Sequence, residues 1–225
     1  MEEAHGTKHP PSRAEIAELF AAQQRRAPDL ARMDAVARRA RLRRIVAYLQ
    51  EHTGEAQAAL QADLRRAPID TTAEMLMVKS EADFIGRHLK RWMKPQRVRS
   101  SLLSLGTTSQ IRYEPKGNVL ILGTWNAPFA CNLVPAIGAI AAGNAVILKP
   151  SELAPHTAAF LGRMISTLFA PEEVAVVEGG AERAAELLEH PFHHIYFTGS
   201  SAVGRIVMRA AARHLASVTL EMGGK

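Results

Sequence analysis

From about residue 14 to residue 94 the apolar positions return every three or four residues, the spacing of one buried helix face. The clearest stretch opens at Thr71, whose hydroxyl is placed to cap a helix while Glu74 completes a capping box. Met75, Val78, Ala82, Ile85, Leu89 and Trp92 then form one apolar stripe, and Pro95 ends it. Such a stripe predicts helix packing rather than a ligand site. Residues 97–114, RVRSSLLSLGTTSQIRYE, shift to short β-like pieces broken by Ser, Gly and Thr, which predicts a linker or protruding hairpin.

From Gly117 the rhythm changes again. Short apolar runs at 119–122, 145–148, 174–177, 195–197 and 218–220 alternate with helical stretches near 130–142, 156–169, 181–189 and 203–213. Fully apolar strands separated by helices imply a parallel sheet covered on both faces. The expected fold class is therefore α/β: N-terminal helices followed by a doubly wound, parallel, five-stranded Rossmann-like sheet. The expected organisation is a disordered polar lead over 1–13, a helical part over 14–96, the linker over 97–114 and an α/β nucleotide-binding domain over 115–225. Right-handed crossovers bring every strand's carboxyl end to one edge. The residues to examine lie there, in GTWNAP, KPSE, EGG, TGSSAVG and at Glu221.

Composition narrows the classes. At 225 residues, with 47% hydrophobic and 22% charged positions, the chain is globular rather than disordered. It contains no apolar run of about 18 residues, so no membrane span is expected. The start MEEAHGTKHPPSR lacks the apolar middle of a secretory signal, and a lone Cys131 excludes an internal disulfide. Both point to a reducing, cytoplasmic setting. The formal charge of +6 falls entirely before Pro115, notably in ARRARLRR and RHLKRWMKPQRVR. A basic stripe can neutralise phosphates. These arginines, however, interleave with Val36, Leu42, Ile45 and Leu49 and carry no aromatic partners for base stacking. A solvated helix face is expected, and no nucleic-acid partner.

The chemistry gathers in three motifs. FTGSSAVGRIV is a strand, a Gly-rich turn and a helix start, where bare N–H groups favour a phosphate. Gly199 and Gly204 have P-loop spacing, but Arg205 and Ile206 follow where Lys and Ser/Thr are needed, so ATP hydrolysis is poorly supported. In GNAVILKPSE, Lys149 and Glu152 at a strand exit suit either an adenosine ribose or an ordinary loop salt bridge. In GTWNAPF, the Asn126 amide can serve a developing oxyanion or merely hold its own turn. Adjacent His193 and His194 point to opposite faces of a strand, so with His190 they make no metal site. Cys131, without an evident His or Lys beside it, reads as a buried structural thiol.

Taken together, GTWNAPFACNLVPAIGAIAAGNAVILKPSELAPHTAA, VVEGG, IYFTGSSAVGRIVMRAAARHLASVTLEMGGK and HLKRWMKPQRV closely resemble the aldehyde dehydrogenase superfamily. The nearest branch looks like the class-three type, which includes fatty, aromatic and coniferyl aldehyde dehydrogenases. The resemblance runs from roughly residue 15 to Lys225. It implies attack of a cysteine thiolate on a small-molecule aldehyde, hydride transfer to NAD or NADP, and hydrolysis of the thioester. It assigns Asn126 to the oxyanion hole and Glu221 to the base that activates water. Trp125, Lys149, Ser151, Glu152, Gly180, Gly199, Ser200, Ser201, Ala202, Val203 and Gly204 fall to the cofactor. An intact form is expected to be a homo-oligomer. The family's nucleophile lies beyond the position of Glu221, so this chain is expected to stop before the catalytic domain and to be inactive alone. Ala127 stands where the family usually carries an aromatic, which implies a differently shaped substrate tunnel. Milder departures are Thr124, Met222 and the turn in DLRRAPIDTTAE. The alternatives kept open are a non-catalytic nucleotide-binding or partner-pairing module and a basic nucleic-acid binder.

Overall fold

The computed structural model describes residues 11–104 and 106–223; most of the polar lead expected over 1–13 lies outside them. Four helices come first: α1 (Arg13–Arg32), α2 (Ala35–Glu51), α3 (Thr53–Leu64) and α4 (Pro68–Trp92). A two-stranded antiparallel hairpin, β1 (Gln96–Val98) and β2 (Ser109–Ile111), follows. The α/β part runs β3 (Asn118–Leu122), α5 (Pro128–Ala142), β4 (Ala145–Lys149), α6 (Pro155–Leu168), β5 (Val174–Val176), α7 (Ala181–Leu187), β6 (His194–Gly199), α8 (Ser201–Arg213) and β7 (Ser217–Met222). Its five strands are parallel, in the order β5-β4-β3-β6-β7.

The strand period of two divides the core. Val119, Ile121, Val146 and Leu148 face α5 and α6 on one side, with Leu42, Ile45, Val78, Ile85 and Leu89 of α2 and α4 packed behind. Leu120, Leu122, Ile147, Ile195 and Phe197 face the other side, against Ile16 and Phe20 of α1 and Val207 of α8. The helices ahead of the sheet therefore cover both of its faces.

Three expectations are corrected here. The Thr71–Glu74 capping box does not form: α4 begins at Pro68, which places both residues inside the helix, and both are buried. A capping box does form at Ser12 and Glu15, so the chain is already helical from Arg13. Nor is the arginine-rich α2 simply a solvated face. Arg38 and Arg41 are buried, at 4% and 9% exposure, while Val36 of the expected stripe is exposed. Arg38 donates to the carbonyls of Ala31 and Met33 at the end of α1 and of Ala141 and Ala142 at the end of α5. Its guanidinium thus serves the orphan carbonyls of two helix C-termini and their dipoles. Gly143, left-handed at φ 91°, closes α5 beside it, where a Cβ would lie 2.5 Å from the guanidinium. Arg41 pairs at 2.8 Å with Glu173, which also holds Arg26.

Trp92, the last member of the α4 stripe, stands at the surface against His88. The helical part also reaches the sheet through Gln23, wholly buried, whose amide donates to the carbonyls of Val146 and Pro171. Asp63 of α3 caps α6, accepting from the N–H groups of His156 and Thr157 and from the Thr157 hydroxyl.

Candidate active and cofactor site at the strand ends

Parallel strands all end on one side, which brings the turns after β3, β4 and β6 and the end of β7 to a common edge. After β3, the Gly123 N–H donates to the Lys149 carbonyl, tying this turn to the end of β4. A Cβ at Gly123 would lie 2.3 Å from the Asn132 side chain, so only glycine passes this close to α5. Trp125 and Asn126 follow, both exposed.

The helix α5 that carries this turn starts at Pro128, a position with no N–H to satisfy. The next two N–H groups, of Phe129 and Ala130, donate to one carboxylate oxygen of Glu74 at 2.9 and 3.0 Å. Glu74 thus caps α5 rather than its own helix. Burial pushes its carboxyl up, and the two N–H donors oppose that shift without cancelling it. Sequence reasoning missed this role, although one signal was there: Glu74 lies four residues before Val78, in phase with the buried stripe of α4.

Cys131 is the next residue along α5. It is half-buried rather than enclosed as expected. Burial pushes its thiol up, and the charges of Glu74 and Glu221 push it further. The start of α5 therefore does not activate it. Glu221 is exposed near the end of β7, opposite Thr198 in the ladder. Val218 and Leu220 pack on the α8 side, so by alternation Glu221 stands on the face that α5 covers. Its charge also reaches Tyr196 of β6, whose hydroxyl is pushed up by burial, then by Glu221 and by Cys131. Glu221, Tyr196, Cys131 and the start of α5 share one corner.

A second cluster forms at the end of β4. Lys149 is 5% exposed and donates to Glu152 at 2.8 Å, with Ser151 buried between them. Burial raises the Glu152 carboxyl, but the hydrogen bond and charge of Lys149 outweigh it and leave the group below its ordinary value. Gly180 precedes α7 and donates its N–H to Glu182. In the third cluster Ser200 caps α8 by accepting from the Val203 N–H, and Ser201, Ala202 and Val203 form an exposed first turn without an acidic residue. Packing rather than backbone angle favours glycine at Gly199, and only weakly at Gly204, where the neighbour is the end of the flexible, exposed Met222. A Cβ at Gly204 would lie 2.9 Å from the Met222 sulfur, and one at Gly199 2.5 Å from the Phe197 ring. A buried ammonium beside a carboxylate fits a ribose, and an acid-free helix start fits a phosphate. These residues suit a dinucleotide.

The histidines are otherwise engaged: His193 accepts from the Asn118 N–H, His194 meets the Ser217 hydroxyl, and His190 stacks on Phe20. Among the described residues no cluster of three His, Cys, Asp or Glu side chains is arranged to hold a metal.

Residues 2–225 match the family model described as Aldehyde dehydrogenase family. The chain belongs to the aldehyde dehydrogenase family. It is 44% identical over 185 residues to aldehyde dehydrogenase family 3 member A2 of Macaca fascicularis, covering 82% of this chain and 38% of that protein. It is 41% identical over 212 residues to the putative aldehyde dehydrogenase AldX of Bacillus subtilis, covering 94% and 47%. The chain thus spans less than half the length of these relatives. Among solved structures, substrate-bound AldH of Staphylococcus aureus superposes with a TM-score of 0.89 at 36% identity, over 93% of this chain and 46% of that one. A betaine aldehyde dehydrogenase of Staphylococcus aureus, solved with NAD+, shares the fold at a TM-score of 0.86 and 20% identity, over 96% and 44%. The motifs that resemble the class-three branch in the sequence thus sit in a chain whose relatives include aldehyde dehydrogenase family 3 members.

Proposed function

We propose that this sequence forms the cofactor-binding part of an NAD(P)-dependent aldehyde dehydrogenase that oxidises an aldehyde to a carboxylic acid. One observation carries the reading: the Asn126 turn, Glu221 and the start of α8 converge on a single sheet edge beside the Lys149–Glu152 pair. In this assignment Lys149 and Glu152 hold a ribose by donating to and accepting from its hydroxyls. Ser200, Ser201, Ala202, Val203 and Gly204 present the helix start to phosphate. Trp125, Ser151, Gly180 and Gly199 are assigned to the cofactor with them, on the same strand-end side. The nicotinamide cofactor, when bound, accepts a hydride.

Asn126 stands on a turn held by the Gly123 N–H bond to the Lys149 carbonyl and by Pro128, and its amide donates to the oxygen on which negative charge develops. Glu221, exposed on the α5 face, takes the proton from the water that, after the hydride has left, releases the carboxylic acid. A thiol whose ionisation is suppressed on three counts is a poor nucleophile, so Cys131 does not take that part. The chain by itself is proposed to bind NAD and to leave aldehydes unoxidised. NADH formation by the purified protein with benzaldehyde and a medium-chain aldehyde tests this, beside a Cys131→Ser control. Retained NAD binding without turnover is the expected result. Robust turnover abolished by Cys131→Ser would make Cys131 the nucleophile and overturn the reading.

A further inference from the structure

Two concavities run along the seam between α2 and α4, built from residues that have no part in the strand-end site. One, of about 400 Å3, is lined by Arg39 and Arg43 of α2 and by Lys79, Asp83 and Arg87 of α4, over a floor that includes Leu42 and Ala82. The other, of about 170 Å3, is lined by Val46, Leu49, Met75 and Leu76. They share Val46, Gln50 and Lys79 and so adjoin along the seam as two parts of one trough. The lining positions run in opposite directions along the two helices, from Arg39 and Arg87 at one end to Gln50 and Thr72 at the other. From Arg39 to Gln50 within α2 is about 17 Å at about 1.5 Å per helical residue.

The two ends differ in chemistry. At the first, three arginines and a lysine meet one carboxylate, Asp83. The Lys79 hydrogen bond, then the charges of Arg87 and Arg39, hold the Asp83 carboxyl below its ordinary value. Asp83 is thus already shared, and the surplus positive charge stays open to solvent on Arg39, Arg43 and Arg87. At the other end Leu49 is buried while Leu76 is 63% exposed, and Lys79 at the junction supplies the charged lining. A solvent-facing leucine over an apolar floor, next to a surplus of exposed guanidinium groups, suits a ligand with one charged end and one greasy end. A nucleic-acid strand, charged along its whole length, matches only half of it.

We propose that this trough binds a single-chain aliphatic carboxylate, its head between Arg39, Arg43 and Arg87 and its tail along Val46, Leu49, Met75 and Leu76. The planar guanidinium fork matches a carboxylate with two parallel hydrogen bonds. Each methylene that covers Leu76 and its neighbours leaves water and adds to the affinity. The inference rests on neither the cofactor nor the aldehyde assignment.

Calorimetric titration of the chain with sodium dodecanoate, below its micelle-forming concentration, is the test. Saturable binding is expected. It should weaken at least tenfold when Arg39→Glu and Arg43→Glu are combined, and separately at least tenfold in Leu76→Asp. Saturating NAD should not displace it, and dodecyltrimethylammonium should not reproduce it. Circular dichroism verifies that the variants fold, and the milder pair Arg43→Gln and Leu76→Ser, with the same directions at smaller size, decides the matter if they do not. Equal affinity for the cationic amphiphile, displacement by NAD, or indifference to either end of the trough would overturn the proposal. So would pyrophosphate binding as tightly as dodecanoate, which needs only the cations. Sedimentation with phosphatidylglycerol vesicles that survives Leu76→Asp would also overturn it, assigning the basic end to a membrane surface.

Discussion

Lys149 is the residue on which the cofactor reading turns, because an ammonium at 5% exposure has to be held by its surroundings. Glu152 does that at 2.8 Å, and the same carboxylate would lie against any 2′-phosphate. NAD is accordingly expected to bind more tightly than NADP, with NADP tolerated through Lys149. Titration of Glu152→Gln should shift the affinity ratio toward NADP; an unchanged ratio would reduce the pair to a loop salt bridge. At the proposed catalytic corner, measured in a protein with aldehyde dehydrogenase turnover, Asn126→Ala should lower kcat by about 10² to 10³, the usual effect of losing one oxyanion donor. Glu221→Gln should leave a burst of NADH and slow the turnover that follows, since water is needed only after the hydride has left. Equal loss of burst and steady state would remove Glu221 from the role of base. Residues of this kind are legible in a sequence because the turn, the strand end and the helix start that define them are neighbours along the chain.

At the scale of elements, the helices ahead of the sheet act as caps for the helices within it. Asp63 closes the start of α6, Glu74 the start of α5, and Arg38 the ends of α1 and α5. These contacts cross 94, 55 and 104 residues of sequence. Local spacing offers Glu74 a nearer partner in Thr71, and the capping box drawn from it is wrong for that reason. Glu74 also makes a pH prediction. Its folded carboxyl lies above its unfolded value, so the stability it contributes is complete below the unfolded pKa, about 4.3, and is lost as pH rises through the folded value. Glu74→Gln keeps an acceptor for the Phe129 and Ala130 N–H groups and removes the charge. Its melting temperature should match the parent near pH 4 and exceed it at pH 8. A variant that falls below the parent at pH 8 would show that the charged hydrogen bonds outweigh burial there.

For the whole molecule, the open question is the surface that the described residues leave bare. β7 is an edge strand, and beside it α8 exposes Val203 at 44% and Ile206 at 56%. On the hairpin segment Leu102 and Leu103 stand at 87% and 100%. An unpaired strand edge flanked by apolar side chains invites another chain, so association is predicted. Light scattering is expected to give a mass above the 24.5 kDa of one chain, and Ile206→Glu with Leu103→Asp should return it toward that value. A parent protein that stays at one chain's mass at high concentration would refute the association.

What the sequence determined by itself is what depends on neighbours along the chain. The periods of two and 3.6 that separate sheet from helices, the turns after β3, β4 and β6, and the family likeness all come from contiguous residues. The charges behaved otherwise. The arginines of α2 have the look of a solvated face, yet Arg38 and Arg41 lie inside and Arg39 and Arg43 outside on the same helix. Which carboxylate caps which helix, whether Cys131 is activated or suppressed, and which cations remain free for a ligand were decided only when distant segments met. A polar group's energy depends on the partners and water around it, and those are set by the tertiary structure.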